Sequence, residues 1–126
     1  MDYLNVIDNT GALVVECIQC LNNAKVARVG DEIVVAVKKA RPISDSALPS
    51  LIASRIRKGD VRRALIVRTK SPLARPDGRS IRFDDNACVL LNNQKQPLGT
   101  RILGLVSEDV KAKGWAKVVS LAPKIV

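Results

Sequence analysis

The residues with the clearest chemistry form a basic block from Arg55 to Arg82. This stretch holds eight arginines, two lysines and only two acidic residues, so it carries a net charge of +8 out of +9 for the whole chain. The planar guanidinium group of arginine suits bidentate contact with phosphate. Charge runs are often only solvated faces, but two carboxylates are too few to neutralise this block. The block therefore indicates a polyanionic partner.

The sequence offers little for catalysis. Histidine is absent, which removes Ser–His and Cys–His pairs, histidine general bases and most zinc sites. A metal-dependent nuclease could use Asp77, Asp84 and Asp85, but these carboxylates lie in or beside turns and are expected to be solvated. The seven glycines are isolated, and none forms a phosphate-binding loop. We therefore predict a protein without enzymatic activity, bound metal or cofactor.

Cys17 and Cys20 form a CxxC pair, a spacing that elsewhere binds zinc or performs redox chemistry. Here the pair lies in a strand-like run, where residues three apart are expected to point to opposite faces. Cys88 stands alone, so no second pair completes four ligands. We interpret the three cysteines as small buried apolar side chains, and their odd number favours a reducing compartment.

Two polyanions compete as the partner. No apolar run reaches the roughly 20 residues that span a bilayer, and the basic block lacks the period of a surface-lying amphipathic helix. Nucleic acid is therefore favoured over a membrane. Only Tyr3, Phe83 and Trp115 are aromatic, too few for the stacking platform of a single-strand binder. The sequence thus predicts recognition of folded RNA through phosphates, 2′-hydroxyls and shape.

Short strands separated by turns must position these cations. Proline and glycine in Arg75–Gly78 predict a turn, so the strands on either side are expected to pair as a basic hairpin, 61–84. The pattern as a whole predicts an all-β chain closed into a small barrel, because closure removes exposed edges. The predicted strands are Leu4–Ile7, Ala12–Leu21, Glu32–Lys39, Val61–Lys70, Ser80–Phe83 and Ala87–Leu91. Within Glu32–Lys39, alternation places Ile33, Val35 and Val37 on one face.

Two segments of the single predicted domain break the strand pattern. Arg41–Arg57 contains two prolines and four serines and is expected to form a loop with at most one helical turn. In the C-terminal region, 105–126, Ser107 is predicted to cap a short helix that ends at Gly114. Trp115–Leu121 is amphipathic, and its pattern fits either a strand or a helix.

Nine short motifs occur in order along the chain. They are LNVIDNTGA at 4–12, VGD at 29–31, KGD at 58–60, IVRTK at 66–70, RPDG at 75–78, IRFD at 81–84, NACVLLNN at 86–93, PLGTRI at 97–102 and SLAP at 120–123. Each motif is weak alone, but together they span nearly all of residues 1–126, and the chain resembles large-subunit ribosomal protein L-fourteen. The resemblance implies a five-stranded β-barrel with a projecting β-ribbon and a short helical C-terminal region.

The resemblance also implies partners and a location. Members of this family bind large-subunit rRNA near the sarcin–ricin loop and reach small-subunit rRNA across the subunit interface in intersubunit bridges. They contact neighbouring large-subunit proteins of the L-three and L-nineteen types and receive a ribosome-silencing factor. The run SEDVKAKG at 107–114 departs from the pattern of bacterial members, whereas the long loop Arg41–Arg57 and the ending Lys113-Gly114-Trp115 are similar to fungal mitochondrial members. A ribosome in the mitochondrial matrix is therefore favoured, with the bacterial cytoplasm as the second option.

The residues and the resemblance together predict a structural constituent of the ribosome that binds rRNA during translation. Binding through phosphates should release counterions, so the affinity should fall steeply with salt. The alternative is a free-standing RNA chaperone or regulator built on a similar basic barrel. The predicted RNA contacts are Arg57, Lys58, Arg62, Arg68, Lys70, Arg75, Arg79, Arg82 and Arg101, with Lys111 and Lys113 as weaker candidates facing the small subunit.

Overall fold

Strands dominate the described part of the chain, and two short helices follow near its C-terminal end. The computed structural model describes residues 3–21, 28–40, 56–70, 73–74, 77–99 and 101–126. The strands are β1 (Tyr3–Val6), β2 (Ala12–Cys20), β3 (Glu32–Ala40), β4 (Val61–Arg68), β5 (Leu73–Ala74), β6 (Ser80–Ile81), β7 (Ala87–Leu91), β8 (Leu105–Val106) and β9 (Lys124–Ile125). The helices are α1 (Asp109–Ala112) and α2 (Ala116–Leu121).

Five of these strands close into a barrel in the order β1, β2, β3, β4 and β7. Neighbouring strands run antiparallel, except that β1 and β7 are parallel and close the barrel where Asn5 pairs with Ala87. A closed sheet leaves none of these five strands as an open edge. The predicted all-β, five-stranded barrel is confirmed.

Aliphatic side chains fill the barrel. Ile33, Val35 and Val37 alternate along β3 and are all buried, which confirms the inward face predicted for this strand. Side chains branched at Cβ pack well on a pleated surface. Removing each of them from water contributes about 1.5–3 kcal/mol. Among the described residues, the fully buried core contains no aromatic ring, so small branched side chains alone fill it.

Strand β4 is buried on both faces. Strict alternation predicts that one face of this strand is more open than the other, but all four residues of Ala64–Val67 are buried. The chain that follows β7 forms backbone hydrogen bonds with both β7 and β4. There the Leu98 N–H donates to the Leu90 carbonyl at 3.0 Å and the Ser107 N–H donates to the Val67 carbonyl at 3.1 Å. Ile102, Val106 and Val110 of this segment belong to the same buried core cluster as β4.

A small hairpin follows β4, but its pairing corrects the prediction. Strand β4 pairs with β3 and β7, and β5 pairs with β6 in a separate two-stranded sheet. The direct ladder expected between Val61–Lys70 and Ser80–Phe83 is replaced, because the doubly buried residues of β4 belong to the barrel. The two segments still meet at the hairpin base, where the Phe83 N–H donates to the Thr69 carbonyl at 3.1 Å.

Two irregular segments are described only in part. Gly78 has a φ of 87°, the left-handed conformation that the turn prediction assigned to glycine. Arg75 and Pro76 of the same turn lie outside the described residues. In the predicted loop Arg41–Arg57, the described residues are the last two, and Ile56 is buried in the core. The remainder of that loop, with its expected helical turn, also lies outside the described residues.

The C-terminal region combines helices with a strand pair. Glu108, rather than Ser107, occupies the N-cap of α1. Ser107 is buried instead, and its hydroxyl donates to Oδ2 of Asp109 at 2.7 Å. The segment Trp115–Leu121, which fitted either a strand or a helix, forms α2 with Trp115 as its N-cap. Strands β8 and β9 pair in parallel on either side of the helices.

Candidate nucleic-acid interface

The predicted contacts on the basic block divide between the two ends of β4. The eight residues of this strand span on the order of 25 Å at about 3.3 Å per residue. One strand therefore carries two separate basic surfaces. The turn-side cluster, before and at the start of β4, comprises Arg57, Lys58 and Arg62. The hairpin-side cluster, at the end of β4 and on the hairpin, comprises Arg68, Lys70, Arg79 and Arg82, whereas Arg75 lies outside the described residues.

Lys70 and Arg82 are the open members of the hairpin-side cluster. The Lys70 N–H donates to Oδ1 of Asn86 at 2.9 Å, which fixes the backbone where the chain leaves β4. The side chains of Lys70 and Arg82 are exposed, and neither forms an ion pair with any described residue. Arg79 is 84% exposed and lies 3.7 Å from Asp77, a pair that solvent screens strongly. These three side chains are accessible to a phosphate.

Arg68 differs from its neighbours in this cluster. Its side chain is only 15% exposed, and its Nη2 donates to Oδ2 of Asp85 at 3.2 Å. The same carboxylate oxygen accepts a hydrogen bond from Nδ2 of Asn5 at 3.2 Å. Gly104 lies beside the guanidinium, since a Cβ there would be at ordinary contact distance, 3.6 Å, from Nη1. The geometry favours a structural role for Arg68 over the predicted RNA contact.

A tight turn presents the turn-side cluster. The Gly59 N–H donates to the Val37 carbonyl at 2.8 Å, and the Val37 N–H donates to the Asp60 carbonyl at 2.9 Å. Oδ2 of Asp60 also accepts from the Arg57 N–H at 3.0 Å. These bonds hold the turn against β3, so Arg57 and Lys58 project from a fixed backbone. Both side chains are exposed and make no ion pair within the described ranges.

A buried carboxylate anchors the neighbouring β1–β2 turn. Asp8 accepts hydrogen bonds from the Leu90 N–H at 2.8 Å, from the Thr10 hydroxyl at 2.6 Å and from the Thr10 N–H at 3.2 Å. Burial raises the pKa of Asp8 above its ordinary value, although these hydrogen bonds act in the opposite direction. The carboxylate therefore ties the turn to β7 at the cost of partial desolvation.

Arg101 is held by the same turn. Its N–H donates to Oδ1 of Asn9 at 3.1 Å, and its carbonyl accepts from the Asn9 N–H at 3.2 Å. Gly99 permits this close approach, because a Cβ at that position would lie 2.6 Å from Oδ1 of Asn9. The adjacent Asp8 is bonded to Leu90, which pairs with Ala64 near the start of β4. Because of these contacts, Arg101 lies at the turn-side end of the barrel. Its side chain is exposed.

Lys111 and Lys113 sit on and just after α1 and differ in their surroundings. Nζ of Lys113 lies 3.1 Å from Oδ1 of Asp31, and the neighbouring Trp115 donates its indole N–H to the Gly30 carbonyl at 3.0 Å. Both contacts dock the helical region on the turn before β3. Lys111 is exposed and has no ion pair among the described residues. Lys111 is thus the more accessible of the two predicted cations.

Comparison with known proteins decides the family. The family model for Ribosomal protein L14p/L23e matches residues 1–126. The chain belongs to this family. It is 52% identical to "Large ribosomal subunit protein uL14m" of Schizosaccharomyces pombe, over 98% of this chain and 94% of that protein. It is 45% identical to the protein of the same name in Neurospora crassa, over 95% of this chain and 92% of that protein. The resemblance read from the nine motifs is confirmed, and a free-standing RNA chaperone is not favoured.

Sequence reasoning missed three polar residues of this L14p/L23e-family chain. Arg63 follows Arg62 in β4, and the side chains of both residues are about 41% exposed. Asn92 and Asn93 follow β7 and lie beside these arginines in one groove. The basic block contained the signal for Arg63, whereas nothing local to the two asparagines indicated their position.

The two cysteines of the CxxC pair do not point to opposite faces of β2. A β-bulge shifts the register of β2 between Cys17 and Gln19. The predicted opposite facing of Cys17 and Cys20 is therefore wrong, since both are half-buried and pack against the core cluster. Cys88 is fully buried, and burial raises the pKa of its thiol. All three cysteines are free thiols.

Two of the three carboxylates considered for a nuclease have other partners, and the third, Asp84, is exposed. Oδ1 of Asp77 accepts from the Arg79 N–H at 3.0 Å, and Asp85 is bonded to Arg68 and Asn5. Within the described residues, no group of three or more histidine, cysteine, aspartate or glutamate side chains could hold a metal ion. No helix in that part of the chain is both long and apolar enough to span a membrane.

Proposed function

We propose that this L14p/L23e-family protein is a structural, non-catalytic constituent of the large subunit of the mitochondrial ribosome, where it binds rRNA. The observation that carries the proposal is the pair of exposed basic surfaces at the two ends of β4. Among their described cations, Arg57, Lys58, Lys70 and Arg82 form no ion pair with a described residue. Both named fungal relatives carry the mitochondrial large-subunit name uL14m. Their names support both the large ribosomal subunit and the mitochondrion as the location. The family name supports the ribosomal assignment.

The proposed mechanism is electrostatic positioning. The closed barrel holds the two clusters at a fixed separation, so two segments of rRNA are neutralised and kept in register. Each phosphate contact releases condensed counterions, which supplies affinity without base readout. Arg68 supports the hairpin base rather than meeting RNA. The proposed rRNA contacts are Arg57, Lys58, Arg62, Lys70, Arg75, Arg79, Arg82 and Arg101.

The proposal extends to the partners that the family resemblance implies. Lys111 and Lys113 face small-subunit rRNA in an intersubunit bridge. Neighbouring large-subunit proteins of the L-three and L-nineteen types contact other parts of the surface, and a ribosome-silencing factor is a further partner. The exposure of Lys111 supports the bridge, because it leaves one full charge available at the start of the helical region.

A replacement experiment tests the function. The uL14m protein of S. pombe is replaced by this chain, and mitochondrial ribosomal subunits are separated on gradients at moderately high salt. We expect the chain to co-sediment with the large subunit. The double variant Lys70→Glu/Arg82→Glu should be depleted from that fraction, since it reverses two unpaired cations of the hairpin-side cluster.

The matched control carries the same change of charge elsewhere. Lys117 and Lys124 are exposed on α2 and β9, so Lys117→Glu/Lys124→Glu should co-sediment like the unmodified chain. Loss of both double variants to the same extent would mean that only net charge matters. Absence of the unmodified chain from the large subunit would refute the proposed function itself.

A further inference from the structure

An open groove lies on the barrel surface where β3, β4 and the chain after β7 meet. Its walls are partly apolar, since Val61 is 61% exposed and Leu98 is 37% exposed. Arg62 and Arg63 line the same groove. Aliphatic surface left in water beside hydrogen-bond donors is a typical property of a binding site.

Two asparagines add polar groups to this groove. Oδ1 of Asn92 accepts from the Gln94 N–H at 2.8 Å and from the Gln96 N–H at 3.0 Å. These bonds commit the oxygen to its own loop, whereas the Nδ2 amide has no hydrogen-bond partner among the described residues. Asn93 is exposed, and its side-chain amide is also without a partner in that part of the chain. The groove therefore offers unused amide donors along one side.

The charges around the groove favour an uncharged group in its interior. Arg62 lies 3.6 Å from Asp60, and Arg63 lies 3.9 Å from Glu32. These carboxylates offset the two guanidinium charges and would repel an acidic peptide. The exposed cations of the preceding turn, Arg57 and Lys58, are not offset in this way within the described residues. A ligand with an uncharged part in the groove and a negative charge next to it matches this distribution of charged side chains best.

We propose that the groove binds one unstacked nucleotide of rRNA. A nucleobase has flat apolar faces, which fit against Val61 and Leu98, and a polar edge that side-chain amides can read. A guanidinium plane also stacks on a base. The phosphate of the same nucleotide then lies toward Arg57 and Lys58. The inference rests on the proposed function and deepens it, because it assigns a subsite with base contacts to a surface that otherwise binds only phosphates.

Photo-crosslinking in the assembled particle tests this assignment. p-Benzoylphenylalanine is placed at Val61 in the full chain, the large subunit is isolated, and irradiation is followed by mapping of the adducts in RNA and in protein. A second variant carries the same group at Leu98, in case the first one assembles poorly. The control position is Ile18 on β2, which is apolar and 43% exposed but lies away from the groove.

The outcomes separate the groove from the wider function. We expect the two groove positions to crosslink to the same short rRNA segment. The Ile18 position should not crosslink to that segment. Adducts to a neighbouring protein, or no adduct in particles that contain the chain, would overturn the nucleotide site and leave the proposed function standing. If the unmodified chain is missing from the large subunit, both proposals fail.

Discussion

Arg68 and Asp85 lie 17 residues apart in the sequence, yet Nη2 of the guanidinium is 3.2 Å from Oδ2 of the carboxylate. This pair joins the end of β4 to the segment that leads into β7. Lys70 and Arg82 lie between these two residues in the sequence, and their side chains are exposed to solvent instead. One basic side chain is therefore used to hold the hairpin base, which leaves its neighbours available for RNA.

The first prediction concerns the different roles of these arginines. Arg68→Ala should lower the free energy of unfolding by about 1–2 kcal/mol, because a charge-assisted hydrogen bond is lost and Asp85 is left without its cation. Arg82→Ala should change it by less than about 0.5 kcal/mol, as is usual for an exposed side chain. Urea denaturation followed by circular dichroism measures both. Equal stability of the two variants would count against the structural role of Arg68.

This ion pair also shows where sequence reasoning reached its limit. Alternation along β3 predicted the buried face of Ile33, Val35 and Val37, since strand periodicity is a local property of the chain. The Arg68–Asp85 contact depends on how β4 and β7 meet in the barrel, so it could not be derived from either segment alone.

Tertiary packing also explains why two other sequence predictions were wrong. The bulge that turns Cys17 and Cys20 toward the same core inserts one residue into the ladder, and a two-residue period cannot anticipate such a shift. The partner of β4 was misassigned because a nearby turn suggested the hairpin, whereas the barrel offered more apolar burial.

The second prediction concerns pH and Asp8. Because burial raises the pKa of Asp8 above its ordinary value of 3.8, the native state binds this proton more tightly than the unfolded chain does. The contribution to stability is therefore complete below the unfolded pKa and is lost as the pH rises through the native pKa. Asp8→Asn replaces the carboxyl group by an amide that does not titrate. The stability of the wild type relative to Asp8→Asn should therefore decrease as the pH rises from acidic values toward neutrality.

Denaturant unfolding of both proteins over a series of pH values measures that difference. Asp8→Asn also loses one acceptor oxygen, but this loss changes the stability difference by the same amount at every pH. A difference that stays constant, or that grows with increasing pH, would contradict the buried environment of Asp8.

The third prediction concerns the docking of the helical region. Trp115→Phe removes the hydrogen bond from the indole N–H to the Gly30 carbonyl and should cost about 1 kcal/mol of unfolding free energy. Trp115 is the sole tryptophan, so urea unfolding of the wild type and of the variant is followed by circular dichroism rather than by fluorescence. Lys111→Met is a suitable control on the exposed side of α1. If Trp115→Phe were as stable as the wild type, the contact with Gly30 would not anchor this region.

The fourth prediction concerns thiol reactivity. Cys88 is fully buried and burial raises the pKa of its thiol, so little thiolate forms and alkylating reagents cannot reach it. Native protein treated with iodoacetamide should be modified at the half-buried Cys20 well before Cys88. Unfolding in urea should make the two sites react at similar rates. Peptide mass spectrometry follows both sites, and rapid modification of native Cys88 would be inconsistent with the barrel core.

The affinity of the purified chain for large-subunit rRNA, measured over a range of salt concentrations, tests the central claim most directly. The account predicts that the logarithm of the association constant falls linearly with the logarithm of salt, by roughly 0.7–0.9 per phosphate neutralised. Lys70→Glu/Arg82→Glu should weaken binding and flatten that line, while Lys117→Glu/Lys124→Glu should leave it nearly unchanged. An affinity independent of ionic strength would contradict binding through the two basic clusters.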